Sequence, residues 1–277
     1  MKYKILENFL DKEFCKKLIE DAQNYSKDDH IPVLNNRLIL PCSSGSFLKL
    51  IKKSKNWHKL HEQLNSQNFL IKLLNFLNIK NQNFYVTNFF FDRNPNFFLK
   101  KYKDINSKKI ANVGTISLLY YLFYKFYRFI KRKLKYSFTN KNYVELLYDY
   151  SMSPNGYYRE IHRDSDARTI VFLIYLNEMD ENGSGGELNL YNYLKKNEKI
   201  PSQPNPADCK LIESISPKTG TLVTFLNSHD SLHSVSKMNN YNGYRFFLYG
   251  SFTLLGKKND KLKNSMGNLK TNFNIFD

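Results

Sequence analysis

The chain is poor in the residues that staple or punctuate a fold. Its three cysteines, Cys15, Cys42 and Cys209, stand far apart and include no Cys-x-x-Cys pair. An odd, scattered set of this kind builds neither a disulfide framework nor a thiolate zinc site, and it fits a reducing compartment. Acidic side chains are also few, 25 Asp and Glu against 42 Lys and Arg, for a formal charge of +17. A surplus that large suits an anionic partner such as nucleic acid, phospholipid or an acidic glycan. Lys and Asn recur along the whole chain, however, while Arg, Ala and Gly are scarce. A compositional bias gives the same excess with no binding surface behind it, so nucleic acid is the weaker reading. Long apolar runs are missing too. The N-terminus reaches Asp11, Lys12 and Glu13 before a signal-peptide core could develop, which gives a cytoplasmic expectation. The uncharged run Ile110 to Tyr124 is fifteen residues long and includes Asn112, Gly114, Thr115 and Ser117. It falls short of the roughly 20 residues needed to cross a bilayer. No internal repeat is visible, which sets solenoids and propellers aside.

What is present, 42% hydrophobic and 16% aromatic residues over 277 positions, is enough for a substantial core. Helical spacing of Phe14, Leu18, Ile19 and Ala22 behind Asp11 predicts an amphipathic helix from about 11 to 25 with Asp11 as its N-cap. A second helical stretch, 57 to 77, carries Leu60, Leu64, Phe69, Leu70, Leu73, Leu74 and Leu77, with Asn65-Ser66 as a break and cap. Residues 37 to 41 read as a short strand, and Phe84 to Phe91 as another that stops at Asp92-Arg93-Asn94-Pro95.

Residues 100 to 140 form a basic insertion. Over 118 to 135 a helix would set Leu119, Leu122, Phe126, Phe129, Ile130 and Leu134 against Lys125, Arg128, Arg132 and Lys135. This is the pattern of an interfacial helix in peripheral contact with a membrane, and equally of a surface helix packed on the main domain. From Tyr143 the period shortens to that of strands: 144 to 150, 156 to 164, 169 to 176, 186 to 191, 220 to 226 and 244 to 253, separated by Gly, Pro, Asn and Asp clusters. The tail from 256 to 277 is polar. The expectation is an α+β, mainly β protein with a sandwich or barrel core, one domain over 1 to 255.

His162 and Asp164 are two residues apart in a predicted strand, so imidazole and carboxylate face the same way. His233, eight residues beyond Phe225, is the third candidate. Two histidines and one carboxylate with open positions opposite are the ligand set of non-haem Fe(II) oxygenases. Arg245 begins a later strand. A guanidinium turned into a barrel is costly unless it holds an anion, and a carboxylate is its best bidentate match.

The order His162-x-Asp164, Arg168-Thr-Ile-Val-Phe-Leu-Ile-Tyr-Leu-Asn177, Gly185-Gly186-Glu187-Leu188, Pro217-Lys-Thr-Gly-Thr-Leu-Val-Thr-Phe225, His233-Ser-Val235 and Arg245 resembles the prolyl 4-hydroxylase-like branch of the Fe(II)/2-oxoglutarate-dependent dioxygenases. The likeness runs from about 143 to 253, and Asn8 to Cys15 resembles the first helix of that domain. It implies a double-stranded β-helix (jelly-roll, cupin-like) core with N-terminal supporting helices and a helical insertion. It implies Fe(II) on His162, Asp164 and His233, with 2-oxoglutarate and O2 as cosubstrates and ascorbate as an accessory reductant. The distal carboxylate of 2-oxoglutarate falls to Arg245 and Tyr175, with Tyr150 as a further cosubstrate contact. The implied reaction is hydroxylation of a peptidyl, sugar or other small substrate, with 2-oxoglutarate converted to succinate and CO2. Asp164 favours hydroxylation over halogenation, because the halogenating relatives have a small residue there.

Bland readings stand beside these. His229 competes with His233, whose distance from Phe225 and following Ser-Val match the family pattern better. His30, His58 and His61 lack partners at ligand spacing. His162-Arg163-Asp164 also spells the protein-kinase catalytic loop, but Thr169 stands where its asparagine belongs, and neither Asp-Phe-Gly nor a Gly-rich phosphate loop occurs. Arg159, Arg163 and Arg168 flank the ligand strand, either holding an acidic substrate or simply solvated. By alternation with His162, Tyr158 and Glu160 are the expected substrate-lining residues, with Arg163 at the mouth. The rival to an enzyme is a non-catalytic β-helix module recruiting nucleic acid or membrane through its basic surface.

Overall fold

The computed structural model describes residues 1–26, 29–42, 44–79, 84–87, 142–166, 168–179, 182–195 and 200–255. The basic insertion over 100–140, its expected helix at 118–135 and the tail 256–277 lie outside the described residues. In chain order the elements are β1 (Tyr3–Leu6), α1 (Lys12–Ser26), β2 (Ile31–Pro32), β3 (Leu38–Pro41), α2 (Gly45–Lys53), α3 (Lys55–Leu64), α4 (Gln67–Phe76) and β4 (Phe84–Thr87). They continue with β5 (Asn142–Pro154), β6 (Arg159–His162), β7 (Arg168–Tyr175), β8 (Leu188–Tyr193), β9 (Cys209–Ile215), β10 (Leu222–Leu226), β11 (Leu232–Val235) and β12 (Tyr244–Leu254). Among the described residues no helix is long and apolar enough to cross a membrane.

Polar caps start the helices where the sequence suggests. Asp11 accepts from the backbone N–H groups of Glu13 and Phe14, and Ser66 accepts from that of Phe69. Ser44 and Ser54 do the same for α2 and α3. Each cap contributes about 1 kcal/mol and fixes where a helix begins. The expected break at Asn65-Ser66 is the junction between α3 and α4. Helix α2 was not expected, because its apolar positions, Phe47, Leu48, Leu50 and Ile51, span barely two turns.

The strands form two sheets. The larger has the order β1-β10-β7-β12-β5-β3-β2, with β4 added to β5, and the smaller the order β6-β11-β8-β9. All pairings are antiparallel except β4 with β5. The large sheet is buried on both faces, and its alternation decides what goes where. Ile170, Phe172 and Ile174 of β7 and Phe246, Leu248 and Phe252 of β12 face the helices, in one cluster with Leu18, Phe47, Trp57, Leu60 and Leu73. Val171, Leu173 and Tyr175 of β7 and Phe247 of β12 turn the other way and pack with Leu188, Leu190 and Ile215 of the small sheet.

Gly250 lies opposite Phe172 in the pairing of β12 with β7, and a Cβ built on it would stand 2.3 Å from the phenyl ring. The glycine is therefore what lets that ring cover β12. The four-residue strands β1 and β11 escape periodicity, since pairing with β10, and with β6 and β8, and not their own pattern defines them. Strand β9 was not expected; it is the edge of the smaller sheet, with Leu211 and Ile212 exposed.

Candidate metal centre and its cavity

His162 ends β6 and His233 lies directly across from it on β11. Their ring centroids are 4.3 Å apart. Asp164 sits two residues beyond the end of β6, in the connection to β7, so a loop and not the strand supplies it. One ligand-capable atom from each of the three lies within 4.8 Å of the others. The His233 Nε2 to Asp164 Oδ2 separation is 3.9 Å.

The histidines are aimed alike. The Nδ1 of His162 donates to the carbonyl of Glu160 at 2.8 Å, and that of His233 to the carbonyl of Ser231 at 3.1 Å. A backbone carbonyl can only accept, so the proton is on Nδ1 and the Nε2 lone pair points into the cluster, the tautomer a metal requires. Burial, and then the neighbouring His233, hold His162 down to about 4, so its imidazole is neutral at ordinary pH. Burial alone would raise the Asp164 carboxyl, but His233, Arg168 and the Tyr249 hydroxyl outweigh it and keep the group below its usual range. Arg168 pairs with Asp164 Oδ1 at 2.7 Å, and Tyr249 donates to Oδ2 at 2.6 Å. The large sheet thus grips the one ligand that the small sheet does not carry. Two imidazoles and a carboxylate around one point fit a divalent first-row cation.

The triad opens on a cavity of about 210 Å³, whose wall includes Arg37, Tyr157, Arg159, Arg245, Phe247 and Tyr249. Arg245 is 1% exposed. Its guanidinium donates through one NH2 group to the Gly186 carbonyl, its Nε–H has no partner, and no carboxylate pairs with it among the described residues. Aromatic rings surround it, with Phe247 at 4.9 Å, Tyr157 at 5.7 Å and Tyr175 at 5.9 Å from the guanidinium carbon. Burial depresses its basicity. Burial also pushes the Tyr175 hydroxyl up to about 12, against the pull of Arg245. A buried cation short of partners is expensive and marks a place for an anion.

Four expectations need correction. Tyr150 pairs with Leu248 and so faces the helices, 5.3 Å from Trp57 and stacked on Phe246 at 6.0 Å, on the opposite side of the sheet from the cavity. Tyr158 and Glu160 are exposed and do not line the cavity, while Tyr157 and Arg159 do. The reason is a β-bulge: His233 pairs with His162 but Val235 with Arg159, so three steps on β6 oppose two on β11. The extra residue inverts the alternation on which the prediction rested. Arg163 lies outside the cavity wall and binds His229 Nδ1 at 2.9 Å and Asp166 at 3.1 Å. His229 is thereby occupied away from the triad.

Sequence reasoning passed over Tyr249 and Arg37. Tyr249 was within reach, since it stands four residues after Arg245 on one strand and shares its face. Arg37 carries no sequence signal, because it enters the cavity from the segment ahead of β3.

Residues 147–252 match the 2OG-Fe(II) oxygenase superfamily. No curated relative matches the chain. Among solved structures, the chain is similar to a Pseudomonas putida prolyl-4-hydroxylase, with a TM-score of 0.49, 14% identity and coverage of 91% of this chain and 92% of the other. For the viral collagen prolyl hydroxylase of Paramecium bursaria Chlorella virus-1, in complex with 2OG, the values are 0.43, 14%, 91% and 96%. For a Trichoplax adhaerens prolyl hydroxylase in complex with a hypoxia inducible factor peptide fragment they are 0.41, 13%, 95% and 86%.

Proposed function

We propose, from the membership of residues 147–252 in the 2OG-Fe(II) oxygenase superfamily, that the chain hydroxylates a substrate C–H bond in an Fe(II)- and 2-oxoglutarate-dependent reaction. Residues 1–255 act as one unit, with the two sheets as the halves of a double-stranded β-helix. The observation that carries the reading is the convergence of His162, Asp164 and His233 beside a buried guanidinium that lacks a carboxylate. His162, Asp164 and His233 hold the iron. Arg245 holds the distal carboxylate of 2-oxoglutarate, and the Tyr175 hydroxyl, kept protonated by burial, donates to the same group.

The iron, when bound, supplies the redox chemistry that splits O2 between succinate and product, with CO2 released from 2-oxoglutarate. Oxygen and electrons then balance with no further reductant: one oxygen atom enters succinate and the other the new hydroxyl. Everything else is the work of this chain. The Glu160 and Ser231 carbonyls fix both imidazole tautomers. Arg168 and Tyr249 fix the carboxylate and keep it ionised. Phe247, Tyr157 and Leu173 keep water from the space between the triad and Arg245. The substrate is an unidentified peptidyl, sugar or other small molecule.

The test is release of succinate from 2-oxoglutarate by the purified protein with Fe(II), measured alongside the weak visible charge-transfer band that develops when 2-oxoglutarate is added anaerobically. Both are expected in the wild type and absent in His162→Ala. Their absence from the iron-loaded wild type would overturn the reading and leave a non-catalytic β-module.

A further inference from the structure

The cavity beside the triad carries four arginines, Arg37, Arg159, Arg168 and Arg245, against one carboxylate, Asp164. Two of the four are accounted for. Arg168 pairs with Asp164 at 2.7 Å, and Arg245, under the reading above, takes the cosubstrate. Arg37 and Arg159 have no carboxylate within ion-pair distance among the described residues.

Arg37 lies over the rings of Phe247 and Tyr249, its guanidinium carbon 6.0 and 5.7 Å from their centroids, and lines the cavity, with the Asp149 carboxyl a more distant electrostatic neighbour shared with Arg168. Among the described residues the Arg159 Nε–H reaches the lone pair of His162 Nε2, at a long 3.5 Å. A metal on that nitrogen would take the lone pair and release this N–H for another acceptor. The two arginines line the same cavity. Asn35 and Asn36, in left-handed conformations with φ of 55° and 60°, turn the chain ahead of Arg37, and the Asn35 amide donates to the Tyr158 carbonyl at 2.7 Å. The bulge in β6 reinforces the sign of the charge, since it brings Arg159 inward and leaves Glu160 in solvent.

The charge count decides what this mouth accepts. A divalent metal and the dianionic cosubstrate cancel each other, and the cavity wall itself carries four guanidinium groups against one carboxylate, an excess of positive charge that Asp149 and Glu187 behind the wall only partly offset. In a concave, partly dry site such a potential concentrates anions and excludes cations. Arginine is the residue suited to this task, because its planar fork meets the paired oxygens of a carboxylate or phosphate.

We propose that Arg37 and Arg159 form a second oxyanion site beside the metal triad, so that the substrate oxidised here carries a carboxylate or phosphate group next to the carbon that reacts. The proposal rests on the oxygenase reading, and its test separates the two. The probe is inorganic phosphate, followed by 31P relaxation, with the protein loaded with Mn(II) in place of Fe(II) and saturated with N-oxalylglycine, an inert analogue of 2-oxoglutarate. Wild type is expected to give a saturable paramagnetic enhancement of phosphate relaxation. Arg37→Gln and Arg159→Gln are each expected to weaken the apparent affinity about tenfold, the double variant to abolish saturation, and Arg163→Gln, outside the cavity, to change nothing.

Competition by formate identifies a carboxylate-selective site and its failure to compete a phosphate-selective one; either outcome supports the proposal. Unsaturable enhancement, or affinity unchanged in Arg37→Gln and Arg159→Gln, overturns it. Loss of N-oxalylglycine affinity in these variants also overturns it, because the arginines would then serve the cosubstrate. Should Mn(II) leave water-proton relaxation unaffected by the protein, the triad reading itself has failed, and this inference with it.

Discussion

Arg245→Met separates the two things a buried arginine can be, an anion holder or a structural strut. The guanidinium is 1% exposed, donates one N–H to the Gly186 carbonyl and leaves Nε–H without a partner among the described residues. Methionine has similar length, fits among Phe247, Tyr157 and Tyr175, and removes an uncompensated charge. The variant's stability without ligand should therefore match or exceed that of the wild type. Affinity moves the opposite way. Two charge-assisted hydrogen bonds to a carboxylate, at about 1.5–3 kcal/mol each, correspond to a loss of roughly 10²- to 10⁴-fold in 2-oxoglutarate affinity. Calorimetric titration of the Mn(II)-loaded protein measures this directly. Thermal unfolding gives a second readout: 2-oxoglutarate at 100 times Kd adds about 2.7 kcal/mol. At roughly 2 °C per kcal/mol for a chain this long, that is about 5 °C in the wild type and close to nothing in the variant. Binding within threefold of wild type, or an unliganded variant destabilised by several kcal/mol, would refute the reasoning.

Three further outcomes follow from the geometry. Tyr249→Phe deletes the 2.6 Å hydrogen bond to Asp164, and metal affinity should fall about ten- to a hundredfold by competition with a chelating dye; an unchanged value would mean that Arg168 alone positions the carboxylate. Gly250→Ala drives a methyl group into the Phe172 ring, so the urea midpoint should drop by the equivalent of about 1–3 kcal/mol, and a wild-type midpoint would show that the ring can move aside. His61, hydrogen-bonded to the Tyr148 hydroxyl, is held down to about 4 by burial and then by His58, against an ordinary 6.5. Its contribution is whole above pH 6.5 and is lost as the pH falls toward 4, since the unfolded chain takes up the proton first. That loss is on the order of 3 kcal/mol, and His61→Gln should flatten the stability profile across that window and nowhere else.

Much of the site is legible in the chain because its signals are local. His162-x-Asp164 is a spacing, Asp11 and Ser66 are caps ahead of periodic apolar runs, and β7, β10 and β12 are long enough to show their alternation. What escaped is what depends on partners. The strands β1 and β11 have four residues each, too few for a pattern to stand out. Tyr150, implied by the resemblance as a cosubstrate contact, points the other way because its register against Leu248 decides its face. The inversion at Tyr157 and Arg159 needs knowledge of both β6 and β11. Arg37 reaches the cavity through a loop whose path no local signal announces.

Counting along the chain, rather than the identity of any single residue, sets the polarity of the entrance. Under regular alternation back from His162, Glu160 would stand on the cavity face and Arg159 in solvent; the extra residue of the bulge reverses the two. An irregularity of backbone pairing is thus what gives β6 a basic inner edge.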